Sequence, residues 1–458
     1  MTVSQKPVQI VGAGLAGAEC AFQLAERGVS VVLHEMRPVK KTPAHKTGDL
    51  AELVCSNSLR SDDPHHAAGL LKREMERFGS LIISSARRSA VPAGSALAVD
   101  RERFAAAVTG ALEAHPLVEI HRNEVRTLPE GDVVIASGPL TSKAMSNAIA
   151  DLLGGEHLYF YDAIAPIVES DSLNRSKLFW ASRYGKGGAD YLNSALDREQ
   201  YGAFLAALLE AEILPLHEFE KNLFFEGCLP IEELARRGPD TLRFGPMKPV
   251  GLTPPSPTQS EDRVPYAIVQ MRQENLAKSH LNLVGFQSRM KWPEQKRVLR
   301  MIPGLEQARF VRLGQIHRNT FINSPVHLNA FYRLKVRPLV RLAGQITGVE
   351  GYLESAATGL AVALYLTLER QGVEAAPLPF STALGALARH LTESNSSHFQ
   401  PANINYGLFP DLAGRVRKRD RRRSYTERAA VDLEDWAHRH QTAVAATPAP
   451  LASGAAVL

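Results

Sequence analysis

An α/β architecture, in which a parallel sheet is interrupted by a second, inserted domain, is what the sequence predicts. Three observations predict it. Near the N-terminus an apolar strand, Val8–Val11, runs into Gly12, Gly14 and Gly17 and then an alanine-rich helix. Far along the chain, Arg341–Tyr352 again joins a strand end to a glycine-rich turn, followed by the small-residue helix Ser355–Arg370. Between them lies a long proline- and loop-containing stretch with no recurring period. The 458 residues allow two to four folding units at ~100–200 residues each.

The opening segment justifies the sheet. Val8–Val11 leads into Gly12-Ala13-Gly14-Leu15-Ala16-Gly17, a helix over Ala18–Arg27 stops at Gly28, and a second strand, Val29–Leu33, ends at His34-Glu35. Strand, glycine turn, helix, strand and acid in this order form a dinucleotide-binding βαβ unit. Gly12 permits the tight turn, Gly14 lets backbone approach a pyrophosphate, and Gly17 lets the helix lie close to the sheet. The helix N-terminus then offers N–H groups and a positive dipole end to phosphate. Glu35, 23 positions after Gly12, is placed to accept both ribose hydroxyls.

Asp132–Ser137, an acid followed by an apolar run ending at Gly138-Pro139, reads as another strand of the same sheet. Two glycine turns at opposite ends of the chain would flank one extended cofactor, which favours FAD over NAD and a glutathione-reductase-like Rossmann FAD-binding domain. The alternative for the late turn is a helix cap without a ligand. The FAD domain is expected over 1–185 and 335–440, the insertion over 186–334, and a disordered Ala/Pro-rich tail over 441–458. The insertion is read as starting after the flexible Tyr184–Gly188 loop, and it contains the Pro-rich run Thr253–Pro257 and the basic-aromatic loop Arg289–Trp292.

Composition narrows the function classes. Hydrophobic residues are 45% and charged residues 22%, which excludes wholesale disorder. Three cysteines, Cys20, Cys55 and Cys228, form no Cys-x-x-Cys pair and suit a reducing cytoplasm. Neither a signal peptide nor an apolar run of the ~18 residues that span a membrane is read. No metal-ligand spacing, nucleophile elbow or Walker loop appears. Arg415, Arg417, Lys418, Arg419, Arg421, Arg422 and Arg423 face a single acid, Asp420, so this run alone exceeds the chain's net +5. It is either a contact for a polyanion or a solvated helix face.

Among the thiols, Cys20 lies within the first helix and reads as core. Cys55, in Leu53–Arg60, has Arg60 close in sequence to favour a thiolate, and Cys228 sits in a loop constrained by Gly227 and Pro230. For both, reactive and structural readings stay open on composition.

Eight segments together resemble the family of folate- and FAD-dependent tRNA (uracil-5-)-methyltransferases: Gly12–Gly17, Leu33–Pro38, Leu53–Leu59, Phe225–Glu232, Phe244–Leu252, Gly285–Gln287, His317–Asn323 and Gly344–Tyr352. The resemblance runs from about Val8 to Tyr425. It implies 5-methyluridine formation at uridine 54 of the tRNA T-loop. The carbon comes from 5,10-methylenetetrahydrofolate and the electrons from NAD(P)H through FAD. It implies Cys228 as the nucleophile toward uracil and Cys55 beside the flavin. It places FAD on Gly12, Ala13, Gly14, Leu15, Ala16, Gly17 and Glu35 and on Gly344, Gln345, Gly348, Gly351 and Tyr352. The expected tRNA contacts are Arg415, Arg417, Lys418, Arg421, Arg422 and Arg423, with no metal. The alternatives are a wobble-uridine-modifying tRNA flavoprotein and a non-catalytic tRNA-binding flavoprotein.

Overall fold

The computed structural model describes residues 6–42, 44–154, 158–163, 165–214, 229–254 and 265–440. A six-stranded sheet carries the first βαβ unit. Its strands lie in the order 333–334, 337–342, 133–135, 8–11, 31–34 and 118–121, and only the 333–334 pairing is antiparallel. Strand β1 (Val8–Val11) sits centrally, pairing Ile10 with Leu33 on one side and with Val134 on the other. Its apolar residues are buried on both faces, as parallel strands covered by helices require.

Helix α1 begins at Leu15 and ends at Ala25, three residues earlier at its start than the spacing suggested, because the turn tightens directly after Gly14. Strand β2 covers Val31–His34. The late helix spans Tyr352–Arg370 and starts where Gly351, at φ +107°, breaks the preceding backbone. The two helices touch closely: a Cβ on Gly359 would lie 2.1 Å from the Ala16 carbonyl oxygen. Strand β1 and the late helix, distant in sequence, therefore belong to one core.

A second six-stranded sheet, antiparallel throughout, is ordered 178–181, 191–196, 267–273, 280–283, 167–169 and 310–312. Its strands fall on both sides of the expected boundary at 186. The Tyr184–Gly188 loop lies in the hairpin that joins Leu178–Ala181 to Tyr191–Leu196. The sheet already begins at Ile167, well before 186. At the other end Arg333–Leu334 pairs with Arg337–Leu342 in the first sheet, so 334 falls inside a hairpin. Antiparallel neighbours need only a short connection, so the loop sits within the sheet and not at its edge in sequence. The Pro-rich run leaves the described residues at Pro255, and the 441–458 tail lies outside them. No helix among the described residues is long and apolar enough to cross a membrane.

Candidate functional site

Each glycine of the early loop has a separate geometric cause. Gly12 adopts φ +98°, and a Cβ there would stand 2.6 Å from the Ala136 carbonyl oxygen. A Cβ on Gly17 would lie 1.8 Å from the Gly12 oxygen, so helix and turn are in backbone contact. Gly14 is different, because nothing lies within 4 Å of its added Cβ. That open space is the cleft. No side chain caps α1, which leaves the positive end of the helix facing it.

The cleft spans about 1010 Å³, a figure that includes solvent at its open mouth. Gly12, Gly14, Leu15 and Ala16 line it from the early loop, and Gly344, Gln345, Tyr352 and Ser355 from the late one. These two segments share one cavity, as an extended dinucleotide requires, and the residues present fit FAD. Ala13 and Gly17 lie behind the lining and are buried. Gly348 and Gly351 also fall outside it. A Cβ on Gly348 would strike the Phe399 ring at 2.5 Å, and one on Gly351 the Glu354 carboxylate at 2.4 Å, so packing explains both.

Glu35 lines the cleft, but its acceptor positions are already taken. Its Oε1 accepts from the backbone N–H and Nε of Arg37, each at 3.0 Å. Its Oε2 accepts from Arg37 Nη2 at 3.1 Å and from Ala13 N–H at 3.2 Å. A carboxylate offers about four such positions. Burial opposes its charge, yet Arg37's hydrogen bonds and charge hold the carboxyl below its ordinary range. A ribose hydroxyl would have to share or displace Arg37. Sequence reasoning missed this residue, although a basic side chain two places after the acid was the available signal.

The three thiols part company. Burial pushes the Cys20 thiol far up, which suits a core residue. Cys55 sits in a loop held on every side. Its N–H donates to Tyr352 Oη at 2.6 Å, and the Ser56 N–H donates to the same oxygen at 3.2 Å. The Cys55 carbonyl accepts from Arg101 Nη2 at 3.1 Å and Arg312 Nη2 at 3.0 Å. Arg60, expected to help this thiol, instead donates to Glu354 at 2.5 Å. Arg60 itself takes a left-handed backbone, φ +67°. Cys228 lies outside the described residues; the description resumes at Leu229, just ahead of the helix Ile231–Arg236.

The basic run is exposed, and Arg421 opens the last helix, Arg421–Arg439. Arg422 Nη1 meets His66 Nε2 at 2.7 Å. Behind it Tyr406 stacks on Tyr425, with ring centroids 4.9 Å apart. Among the described residues no group of three or more His, Cys, Asp or Glu could hold a metal ion.

The family description Glucose inhibited division protein A matches residues 7–374. A relative from Pelobacter propionicus, named methylenetetrahydrofolate--tRNA-(uracil-5-)-methyltransferase TrmFO, is 56% identical over 433 residues, covering 94% of each chain. Relatives of the same name from Geobacter sulfurreducens and Brevibacillus brevis are 56% and 52% identical, covering 94% and 95% of this chain and 98% and 99% of their own. The chain belongs to this methyltransferase family. At the level of fold, two crystal forms of Aquifex aeolicus GidA align with TM-scores of 0.65 and 0.66 at 13% and 15% identity. They cover 96% and 93% of this chain and 76% and 75% of theirs. The fold class read from the sequence, a Rossmann-type FAD-binding α/β fold, is the one found.

Proposed function

We propose that this protein is a cytoplasmic enzyme that forms 5-methyluridine at uridine 54 of the tRNA T-loop, with 5,10-methylenetetrahydrofolate as carbon donor and NAD(P)H as the source of electrons. One observation carries the reading: two glycine segments from opposite ends of a chain of this family line a single cleft, and Tyr352 of the late segment grips the Cys55 loop. FAD would be held by the backbone of Gly12, Gly14, Leu15 and Ala16 and by Gly344, Gln345 and Tyr352. When bound, it supplies the electrons that turn the transferred methylene group into a methyl group.

The protein's own residues supply the rest. Uracil C5 is a poor nucleophile until a thiolate adds at C6, and Cys228 is assigned that addition. The methylene carbon bonds to C5 as its bond to the donor nitrogen breaks, the C5 proton leaves, and the thiolate is expelled as the methylene group takes up hydride, which returns the enzyme unchanged. Cys55 acts beside the flavin. Arg415, Arg417, Lys418, Arg421, Arg422 and Arg423 meet the tRNA backbone, which their exposure supports.

The test is nucleoside analysis of tRNA incubated with the purified protein, methylenetetrahydrofolate and NAD(P)H. The expected product is 5-methyluridine at position 54. With tRNA carrying 5-fluorouracil, wild type is expected to form a covalent adduct that Cys228→Ala does not. An adduct in Cys228→Ala but not in Cys55→Ala would swap the two roles. A different modified uridine would reassign the enzyme.

A further inference from the structure

Four consecutive residues around Cys55 are held by two arginines of the other sheet. Arg312, at the end of the strand Phe310–Arg312, donates through Nη1 to the Val54 carbonyl at 2.7 Å and through Nη2 to the Cys55 carbonyl at 3.0 Å. Arg272, in the strand Ala267–Gln273, donates through Nη2 to Ser56 Oγ and through Nε to Asn57 Oδ1, both at 2.8 Å. Asn57 is fully buried, and its amide returns to the same strand, donating to the Gln273 carbonyl at 2.9 Å. From the first domain Arg101 closes the other side. It reaches the Leu53 and Cys55 carbonyls at 2.8 and 3.1 Å, with its charge met by Glu274 at 2.6 Å.

Burial is unfavourable for one of these cations. Burial, then the like charge of Arg101, pushes the Arg312 guanidinium below its ordinary range, and its Nε is buried without a partner. A loop that needed only tethering could be held by neutral amides or hydroxyls at less cost. Arg312, with Arg101, adds positive charge on the Cys55 carbonyl beside the thiol, and Arg272 adds rigid geometry through Ser56 and Asn57.

We propose that Arg312 and Arg272 are positioning residues for Cys55, by which the inserted sheet sets the geometry and field of a thiol carried on the cofactor-binding domain. This rests on the reading above that Cys55 takes part in the chemistry. The charged or titratable groups facing the loop are Arg101 and Glu274, Arg272 and Arg312, and Tyr352.

The test uses the full-length flavin-loaded protein with Arg312→Met, Arg312→Lys and Arg272→Lys. Iodoacetamide labelling of the Cys55 peptide is followed by mass spectrometry across pH, alongside the flavin spectrum and methylation kinetics. Arg312→Met is expected to slow Cys55 labelling at neutral pH by about threefold or more and to move its pH profile upward. The flavin content should stay intact. Both lysine variants keep the charge but lose the two-pronged grip. They should keep the wild-type pH profile while kcat falls by about tenfold or more and KM for tRNA holds. Wild-type labelling in Arg312→Met together with wild-type kcat in the lysine variants overturns the proposal. Should Arg312→Met fail to fold, the kcat of the lysine variants decides alone. If wild type makes no 5-methyluridine but labelling responds as stated, the functional reading fails and the positioning role stands.

Discussion

The phenol oxygen of Tyr352 accepts the backbone N–H of Cys55 at 2.6 Å across 297 positions of sequence. Tyr352 is the first residue of the late helix and lines the cleft, and Cys55 follows the first βαβ unit, so this contact ties the late helix to the loop beside the cleft. Burial is the main cause holding the phenol well above its ordinary range, so it remains a neutral hydroxyl.

Tyr352→Phe removes the acceptor of two N–H groups and keeps the ring. The expected cost is about 1 kcal/mol, the net scale of a hydrogen bond, because both donors are only part-buried. Thermal melting of the two proteins measures it. Faster proteolysis within Leu53–Leu59 should accompany it, and an unchanged melting curve would show that water replaces the phenol without loss.

Gly14 and Gly17 should respond oppositely to valine. Gly14→Val places its side chain in the open cleft, so the protein should fold and purify colourless. Gly17→Val drives a side chain into the Gly12 oxygen, 1.8 Å from where its Cβ must go, and should not yield soluble protein. Visible absorbance near the flavin bands and circular dichroism separate the two. A yellow Gly14→Val would mean that the pyrophosphate does not pass this glycine.

Replacing Arg421, Arg422 and Arg423 by glutamine should weaken tRNA binding and flatten its salt dependence by ~0.7–0.9 log units for each phosphate that is no longer neutralised. The flavin spectrum should not change. Equal slopes for mutant and wild type would return the run to a solvated helix face. Arg423 already pairs with Glu427 at 2.7 Å, so it should contribute least of the three.

Lys72 gives a pH test of the core. It is fully buried, its ammonium donates to the Ser61 carbonyl at 2.7 Å, and burial lowers its pKa from 10.5 to about 8. The unfolded chain therefore holds this proton up to about pH 10.5, while the folded protein releases it near 8. Between these values the unfolded state binds more protons, so the group's contribution to stability rises with pH. Melting temperatures of wild type and Lys72→Met should converge or cross in favour of wild type on going from neutral pH to about 10. A difference independent of pH would show that Lys72 stays charged in the folded state.

Local chemistry made much of this protein legible from its sequence. The βαβ unit could be read because Gly12, Gly14 and Gly17 obey a spacing set by one turn and one helix, and each glycine's reason is local backbone geometry. The fold class, the late glycine turn and the core character of Cys20 follow from short segments in the same way. The tertiary structure decided what depends on pairs distant in sequence. It sent Arg60 to Glu354 and gave the Cys55 carbonyl to Arg101 and Arg312. A side chain reaches several ångströms in any direction, so its partner is chosen by the packing of whole sheets and helices, and no period or spacing along the chain encodes that choice.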